Sequence, residues 1–417
     1  MIVSVSSTLP WPGLAVTPRA PVSATVARLI FERAVARLAV RVRYPDGRVI
    51  GGGSAESPVF EVVRPAAFFA RVGRDRKIGF GDSYVAGDWR AAPGTDLAEL
   101  LTVFAERLTS LVPAWMHRLR GLVDKPIPAE QDNSLDGSRS NIAAHYDLSN
   151  ELFASFLDPT MSYSSAWFDA GQPVDDATDL EGAQLRKIDA ILDFAGVRAG
   201  TTMLEIGSGW GALAIRAGQR GAQVTSITLS VEQMQLARER VAAAGLSDLV
   251  DVRVQDYREV TGTFDAIVSV EMIEAVGEAY WPTYFATIER LLAPGGAVSI
   301  QAITMAHERL LATRRSYGWI QKYIFPGGLI PSLHAIAETL TTHTSLRVVQ
   351  QRELREHYAR TLVLWRERFL DASPRLRAHG FDDTFSRMWE FYLAYSEAGF
   401  RSGYLGVSQL QLMRTSA

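Results

Sequence analysis

From about residue 185 the chain switches repeatedly between two hydrophobic rhythms, and no other feature restricts its fold as strongly. "TTMLEIG", "AQVTSITLS", "LVDVRVQDY", "FDAIVSV" and "AVSIQAI" are short apolar runs that read as strands. Between them, "ALAIRAGQRG", "VEQMQLARERVAAAG" and "YFATIERLLAPGG" read as helices, the last closed by glycine. Such alternation predicts an α/β fold, a doubly wound and mostly parallel sheet with helices on both faces. Ligands of such sheets sit beyond the carboxyl ends of the strands.

The flanking regions read differently. At 417 residues two domains are expected. In the first, Val26, Leu29, Ile30, Ala34 and Leu38 recur at helical spacing, with Arg28, Glu32, Arg33 and Arg37 between them. Strand-like runs ("VRVRYPDG", "PVFEVVR") and further helices ("AAFFARV", "AELLTVFAERLTSLV") complete a small mixed α+β domain over residues 1–120. The polar stretch "DKPIPAEQDNSLDGSRSN" reads as a linker over 121–140, and residues 141–417 form the second domain. Within it "GWIQKYIFPGGLIPS" is loop-like, "YARTLVLWRERFLDA" and "TFSRMWEFYLAYSEAGF" are long helices, and "VSQLQLMR" reads as a returning edge strand. Composition removes several options. With no cysteine, disulfides, thiolate metal sites and cysteine nucleophiles are excluded, and no metal site is expected. A net charge of -3 gives no reason to expect a nucleic-acid partner. The start lacks the pattern of a signal peptide and no apolar run reaches the length of a spanning helix, so a cytoplasmic protein is expected.

The first strand of the series runs into "LEIGSGWGALA". Gly207, Gly209 and Gly211 allow a tight turn and let a ligand approach the backbone. The G-x-G-x-G spacing differs from the dinucleotide fingerprint. With Glu205 at the strand end it resembles the first motif of class I methyltransferases, which bind S-adenosylmethionine. The second strand ends in "SITLSVEQ", offering Thr228, Ser230 and Gln233 near the cofactor ribose; Ser230 is also a helix cap candidate. The third ends in "VQDYRE", where Asp256 is either an acceptor for the adenine amino group or a solvated acid, and Tyr257 can cover the ring.

Taken together, "NIAAHYDLSNELFASFLDPTMSYSSAWF", "LEIGSGWG", "TLSVEQ", "QDYRE", "VSVEMIEAVG", "WIQKYIFPGG" and "YARTLVLWRERF" resemble the cyclopropane-fatty-acyl-phospholipid synthase family, in order and over nearly the whole chain. "IGFGDSYVAGDW" resembles the N-terminal domain of its long members. Within the family, "SVEMIEAVG", "IQAITM" and "YLAYSEAGFRSGYL" are most similar to the actinobacterial fatty-acid methyltransferases linked to 10-methylstearic (tuberculostearic) acid. The resemblance implies a Rossmann-like, seven-stranded sheet with a helical lipid-binding insertion. It also implies transfer of a methyl group from S-adenosylmethionine to the cis double bond of a phospholipid acyl chain. The resulting carbocation loses a proton to give either a cyclopropane or an exocyclic methylene, which a flavin-dependent reductase partner saturates. The expected place of action is the inner membrane surface.

Cyclopropane-forming members hold a bicarbonate ion as base, with a Cys, a Glu, a His, a Tyr and a backbone group. By resemblance Glu274, Tyr358 and the Ile303 backbone are kept here. Ser165 replaces the Cys, Gln301 replaces the His, and Ala275 replaces a His common after the Glu. Glu271 stands where those relatives have a small residue, often glycine. The expectation is that the Glu271 carboxylate takes over from bicarbonate, which becomes dispensable, and that Glu271 and Glu274 divide the work, one taking the proton and the other orienting it or steadying the cation. The alternative is that Glu271 faces solvent or caps the next helix. Two close carboxylates should push their pKa values apart.

The resemblance also places Tyr163 and Ser164 near the methionine moiety and His145, Tyr146 and Asp147 near the cofactor and substrate. Trp167, Phe168, Trp319, Tyr323, Phe325, Trp389 and Tyr392 are candidates for an acyl tunnel, or else core. Arg28, Arg33, Arg37, Arg41, Arg43, Arg118 and Arg120 read as a solvated face, with lipid phosphates as the alternative. Rival readings are a true cyclopropane synthase, a methyltransferase of soluble small molecules and a non-catalytic lipid-binding subunit.

Overall fold

The computed structural model describes residues 14, 16–111, 128, 131–134, 137, 149–169 and 179–415. Most of the expected linker lies outside these residues, as do His145, Tyr146, Asp147, Arg118 and Arg120. The chain divides into two compact units, and no single cut separates them. One takes Met1–Lys125, Tyr317–Ile324 and Trp365–Tyr404; the other takes Pro126–Ser316, Phe325–Leu364 and Leu405–Ala417. The expected continuous domain over 141–417 therefore needs correction. Packing gives the reason. Phe391, on the helix Asp383–Arg401, sits 5.3 Å from Tyr84 and 6.3 Å from Trp89, and the Trp319 ring lies 4.9 Å from Phe391. Arg366 adds a charged tie, with Asp96 at 2.7 Å and Glu397 at 3.1 Å.

The first unit holds a four-stranded sheet ordered β2-β1-β3-β4, with β1 Arg41–Arg43, β2 Val49–Ile50, β3 Val59–Val62 and β4 Trp89–Ala91. The helix Pro21–Val35 turns Ala27, Phe31 and Val35 inward, and the Phe31 ring lies 5.2–5.8 Å from Phe60, Phe68 and Phe69. Phe60 stacks on Trp89 at 4.3 Å. Aromatic packing, more than sheet area, holds this small layer.

The second unit is the doubly wound sheet. Its strands are β5 Thr202–Ile206, β6 Gln223–Thr228, β7 Val250–Val254, β8 Phe264–Val270, β9 Leu292–Met305, β10 Leu346–Glu353 and β11 Leu405–Arg414, ordered β10-β11-β9-β8-β5-β6-β7. β5 pairs in parallel with β6 and with β8, so the strand order reverses at β5. That is where a crevice opens at the carboxyl ends of a doubly wound sheet. β11 alone runs against the rest, pairing antiparallel with β9 and β10. The "VSQLQLMR" run is thus a strand as expected, but an interior one. The edge belongs to β10, whose polar sequence "LRVVQQRE" hid it from the apolar pattern. The preceding helix also ends earlier than its glycine suggests: it covers Trp281–Leu291, and β9 begins at Leu292. "GWIQKYIFPGGLIPS" is not wholly loop, since Trp319–Tyr323 is helical.

Candidate active site

Beyond the ends of β5, β6, β7 and β8 lies a cavity of about 140 Å3. Its floor is the glycine turn. Gly207 has φ 97° and Gly209 φ 47°, both left-handed. A Cβ on Gly207 would strike the Met272 side chain at 2.5 Å, whereas around Gly209 the space stays open to 4 Å. The turn thus needs glycine for conformation at both positions, and at Gly209 it leaves the backbone bare to a ligand. Gly211, φ 88°, precedes the helix Ala212–Gln219 and packs against Ala237 instead of facing the cavity.

Tyr163, Ser164, Glu205, Gly207, Gly209, Thr228, Gln233, Asp256 and Tyr257 all line this cavity. Ser230 does not. It caps the helix Val231–Ala243 by accepting from the Gln233 N–H at 3.2 Å. The Thr228 hydroxyl donates to Gln233 Oε1 at 2.9 Å, which leaves the Gln233 amide nitrogen as a donor for ribose hydroxyls. Asp256 is buried and already accepts from Arg258 through both oxygens, at 2.8 and 2.7 Å. It thereby holds Arg258 against the Tyr257 ring, whose centroid is 5.4 Å from the guanidinium. The Tyr257 hydroxyl oxygen is buried and has no partner among the described residues. An open glycine cradle, an orphan hydroxyl at the adenine end and a free amide donor at the ribose end together fit S-adenosylmethionine.

A cation was missed in the sequence. Lys187 is buried on the inner side of the helix Leu180–Phe194, and its Nζ donates to Ser164 Oγ at 2.7 Å. Burial pulls its pKa down to about 8, against the pull of Glu271, Asp158 and Glu205. Glu205 accepts from Ser226 Oγ, and its burial pushes it up to about 8. In sequence Lys187 looks like any polar residue of an amphipathic helix; only its neighbours at Ala183, Gln184, Ile188 and Ile191, all buried, mark its side as inward.

Glu271 closes the opposite wall. It is the first residue after β8, and its φ of 52° is left-handed, where a side chain costs about 1–2 kcal/mol relative to glycine. Strain of this kind persists only where the surroundings impose it. Here Oε1 accepts from the Ser165 N–H at 3.0 Å and from Gln301 Nε2 at 2.8 Å, and Oε2 accepts from the Tyr358 hydroxyl at 2.8 Å. Gln301 is held in that orientation because its own oxygen accepts from Gln409 Nε2 at 3.1 Å. The Ser165 hydroxyl is turned away, donating to the Ala166 carbonyl, so this position contributes its backbone N–H only. Glu274 is separate: Oε1 accepts from the Ile303 N–H, while its buried Oε2 has no partner among the described residues.

The two carboxyls differ accordingly. Desolvation raises both. For Glu271 the three donors and the Lys187 charge act against that rise. Glu274, pushed up first by burial and then by the Glu271 charge, reaches about 8. The Glu271 charge is thus a cause of the rise at Glu274, so of the two carboxyls Glu274 is the one that holds its proton to higher pH.

The tunnel candidates are not brought to this cavity. Trp319 and Tyr323 group with the first unit, and Phe325 is absent from the lining. Phe168, Trp389 and Tyr392 are buried core, and Trp167 carries the Arg352 guanidinium 4.4 Å above its ring.

Comparison with known proteins identifies the family. The family model described as mycolic acid cyclopropane synthetase matches residues 133–410. The chain is 53% identical over 409 residues to tuberculostearic acid methyltransferase UfaA1 of Mycobacterium tuberculosis, covering 97% of this chain and 95% of that protein. It is 33% identical to the cyclopropane-fatty-acyl-phospholipid synthase of Escherichia coli K12, over 84% of this chain and 87% of that one. Among solved structures, the cyclopropane synthase MmaA2 of M. tuberculosis superposes with a TM-score of 0.60 at 30% identity, covering 66% of this chain and 97% of that one. Mycolic acid cyclopropane synthase CmaA1, complexed with SAH and CTAB, gives 0.59 at 30% identity and the same coverage. With the glycine cradle, the two glutamates and the seven-stranded sheet in place, the chain belongs to the mycolic acid cyclopropane synthetase family and is an S-adenosylmethionine-dependent methyltransferase of lipid acyl chains.

Proposed function

We propose that the protein methylates the cis double bond of an oleoyl-type phospholipid acyl chain and forms an exocyclic methylene with Glu271 as the base. The observation that carries this is the Glu271 carboxylate itself. It collects hydrogen bonds from Ser165, Gln301 and Tyr358, three of the positions that the family resemblance assigns to bicarbonate. A protein carboxylate thus stands among the groups that a bound anion would use.

The cofactor, when bound, supplies an electrophilic methyl group on sulfonium. The glycine turn and Gln233 bind it, and Tyr257 covers one end. On the acyl chain, the π electrons form the new carbon–carbon bond to the methyl group, whose bond to sulfur breaks with the electron pair staying on sulfur, and a cation is left on the neighbouring carbon. A hydride shift moves that cation to the branch carbon. Glu271 then accepts a proton from the new methyl, whose C–H electrons become the methylene double bond. Tyr358 and Gln301 hold the accepting oxygens in place. Lys187 favours the ionised form of Glu271, while protonated Glu274 keeps a second negative charge out of the site. We further propose that a flavin-dependent reductase saturates the methylene and that the enzyme works at the membrane surface. No helix among the described residues is long and apolar enough to cross a membrane.

The test is methyl transfer to dioleoyl phospholipid with labelled S-adenosylmethionine, followed by NMR of the extracted lipid. Exocyclic methylene proton signals are expected. High-field cyclopropane ring protons as the product would overturn the reading.

A further inference from the structure

The helix Pro21–Val35 carries two apolar faces. Ala27, Phe31 and Val35 face the aromatic cluster of the first unit. On the opposite side Val22, Val26, Leu29 and Ile30 are 79%, 45%, 55% and 43% exposed. A surface helix of a globular protein ordinarily turns polar residues outward. Here positions 22, 26, 29, 30 and 33 fall on one outward stripe, four of them aliphatic and the fifth Arg33. Arg19 precedes the stripe and Arg37 follows it, both exposed. No aspartate or glutamate occurs before Glu32. Glu32 is itself occupied by Arg28 at 3.0 Å, Arg48 at 2.9 Å and the Tyr44 hydroxyl at 3.2 Å, so it adds no free negative charge.

We infer that this outward face docks the enzyme on an anionic phospholipid surface. The stripe is of the kind that enters the boundary between headgroups and acyl chains, and exposed arginines at its two ends reach the phosphates as the aliphatic side chains go in. The charge pattern commits the occupant: cations bracket the stripe, no carboxylate interrupts it, and an anionic bilayer complements both features. The assignment rests on the function proposed above to the extent that the acyl substrate resides in such a bilayer. It adds which surface reads the membrane and which lipid charge it prefers.

The experiment is flotation of the full-length protein with vesicles of dioleoyl phosphatidylglycerol or dioleoyl phosphatidylcholine, read for wild type, Leu29→Glu and Arg33→Gln. Wild type should float with the anionic vesicles and much less with the neutral ones. Leu29→Glu should weaken binding at least tenfold. Arg33→Gln should weaken it less and reduce its salt dependence, since only the electrostatic part is screened. Light scattering and S-adenosylmethionine binding by calorimetry should be unchanged, as should methyl transfer to detergent-dispersed dioleoyl lipid. Equal flotation of Leu29→Glu and wild type would overturn the inference. So would wild type failing to float, or Leu29→Glu lowering the mass of the particle in solution, which would make the stripe a protein interface. Methyl transfer to dispersed lipid reports on the proposed reaction separately. If all variants methylate dispersed lipid and none floats, the surface assignment alone falls; if they float as expected and none methylates, the proposed reaction alone falls.

Discussion

Replacing Glu271 by Gln changes one atom at the proposed base. The surroundings dictate how the amide must sit. At the Oε1 position two donors converge, the Ser165 N–H and Gln301 Nε2, so the amide oxygen belongs there. The amide nitrogen then meets the Tyr358 hydroxyl, which can rotate and accept. All three hydrogen bonds survive, one with its direction reversed, and stability should change by no more than about 1 kcal/mol. What disappears is the basic oxygen. Losing a general base costs about 10²–10⁴ in turnover, or roughly 3–5 kcal/mol of barrier. Cofactor affinity should barely move. Labelled methyl transfer to oleoyl phospholipid is the assay, run in buffer stripped of carbon dioxide, where wild type should keep its rate. Glu271→Gly supplies a second reading: it relieves a left-handed backbone that costs about 1–2 kcal/mol, so it should lose activity without losing stability through strain. The reasoning is refuted if Glu271→Gln is nearly silent while removal of bicarbonate stops the wild-type enzyme.

Gly209→Val puts two methyl groups into the open cradle at a left-handed φ, so S-adenosylmethionine binding should vanish by calorimetry in a protein whose circular dichroism stays native; unchanged affinity would remove Gly209 from the cofactor site. Glu274 keeps its proton in the fold between its ordinary value of 4.5 and about 8, where the unfolded chain has lost it. Its contribution to stability is therefore complete below about pH 4.5 and is lost as pH rises towards 8. Glu205 acts with the same sign. Glu274→Gln should accordingly flatten the fall of Tm between pH 5 and 8, and an unchanged slope would show that Glu274 is ionised throughout. Deleting residues 1–137 should not release a free cofactor-binding domain, because Phe391 and Trp319 would lose Tyr84, Trp89 and Gly81 as neighbours; a soluble, monomeric fragment with native affinity for S-adenosylmethionine would contradict this.

Legibility in the sequence followed the strength of the local signal. β5, β6, β7 and β8 are apolar runs ending in turn residues, and pattern alone located them and the glycine turn between them. β10 was lost because an edge strand with the sequence "LRVVQQRE" buries little and shows no alternation. The division into units was illegible for another reason. Phe391 and Trp319 read as generic aromatics, and nothing local says which core they join. At the site, Glu271, Glu274 and Tyr358 were recognisable by resemblance, but the left-handed turn that aims Glu271 is a property of the backbone. Lys187 was missed because burial of one helical lysine depends on what packs over it. For the aromatics weighed between an acyl tunnel and a core, the sequence offers no local distinction, since large rings are common in cores; Phe168, Trp389 and Tyr392 are buried.

The way each unit is completed also bears on how the chain is made. The first unit has its sheet and first helices by Leu111, yet it awaits the segment from Trp365 to Tyr404. At ribosomal rates of about 5–20 residues per second, the intervening stretch of roughly 250 residues takes on the order of 10–50 s to emerge. For that interval Phe80, Tyr84 and Trp89 lack the ring of Phe391 that later packs on them. The large sheet waits longer still, because β11, which lies between β9 and β10, is the last strand synthesised. Neither unit can finish before its last segment has been made. Final packing of the first unit is therefore postponed until its 365–404 segment has emerged, and until then its apolar rings stay exposed to wrong partners.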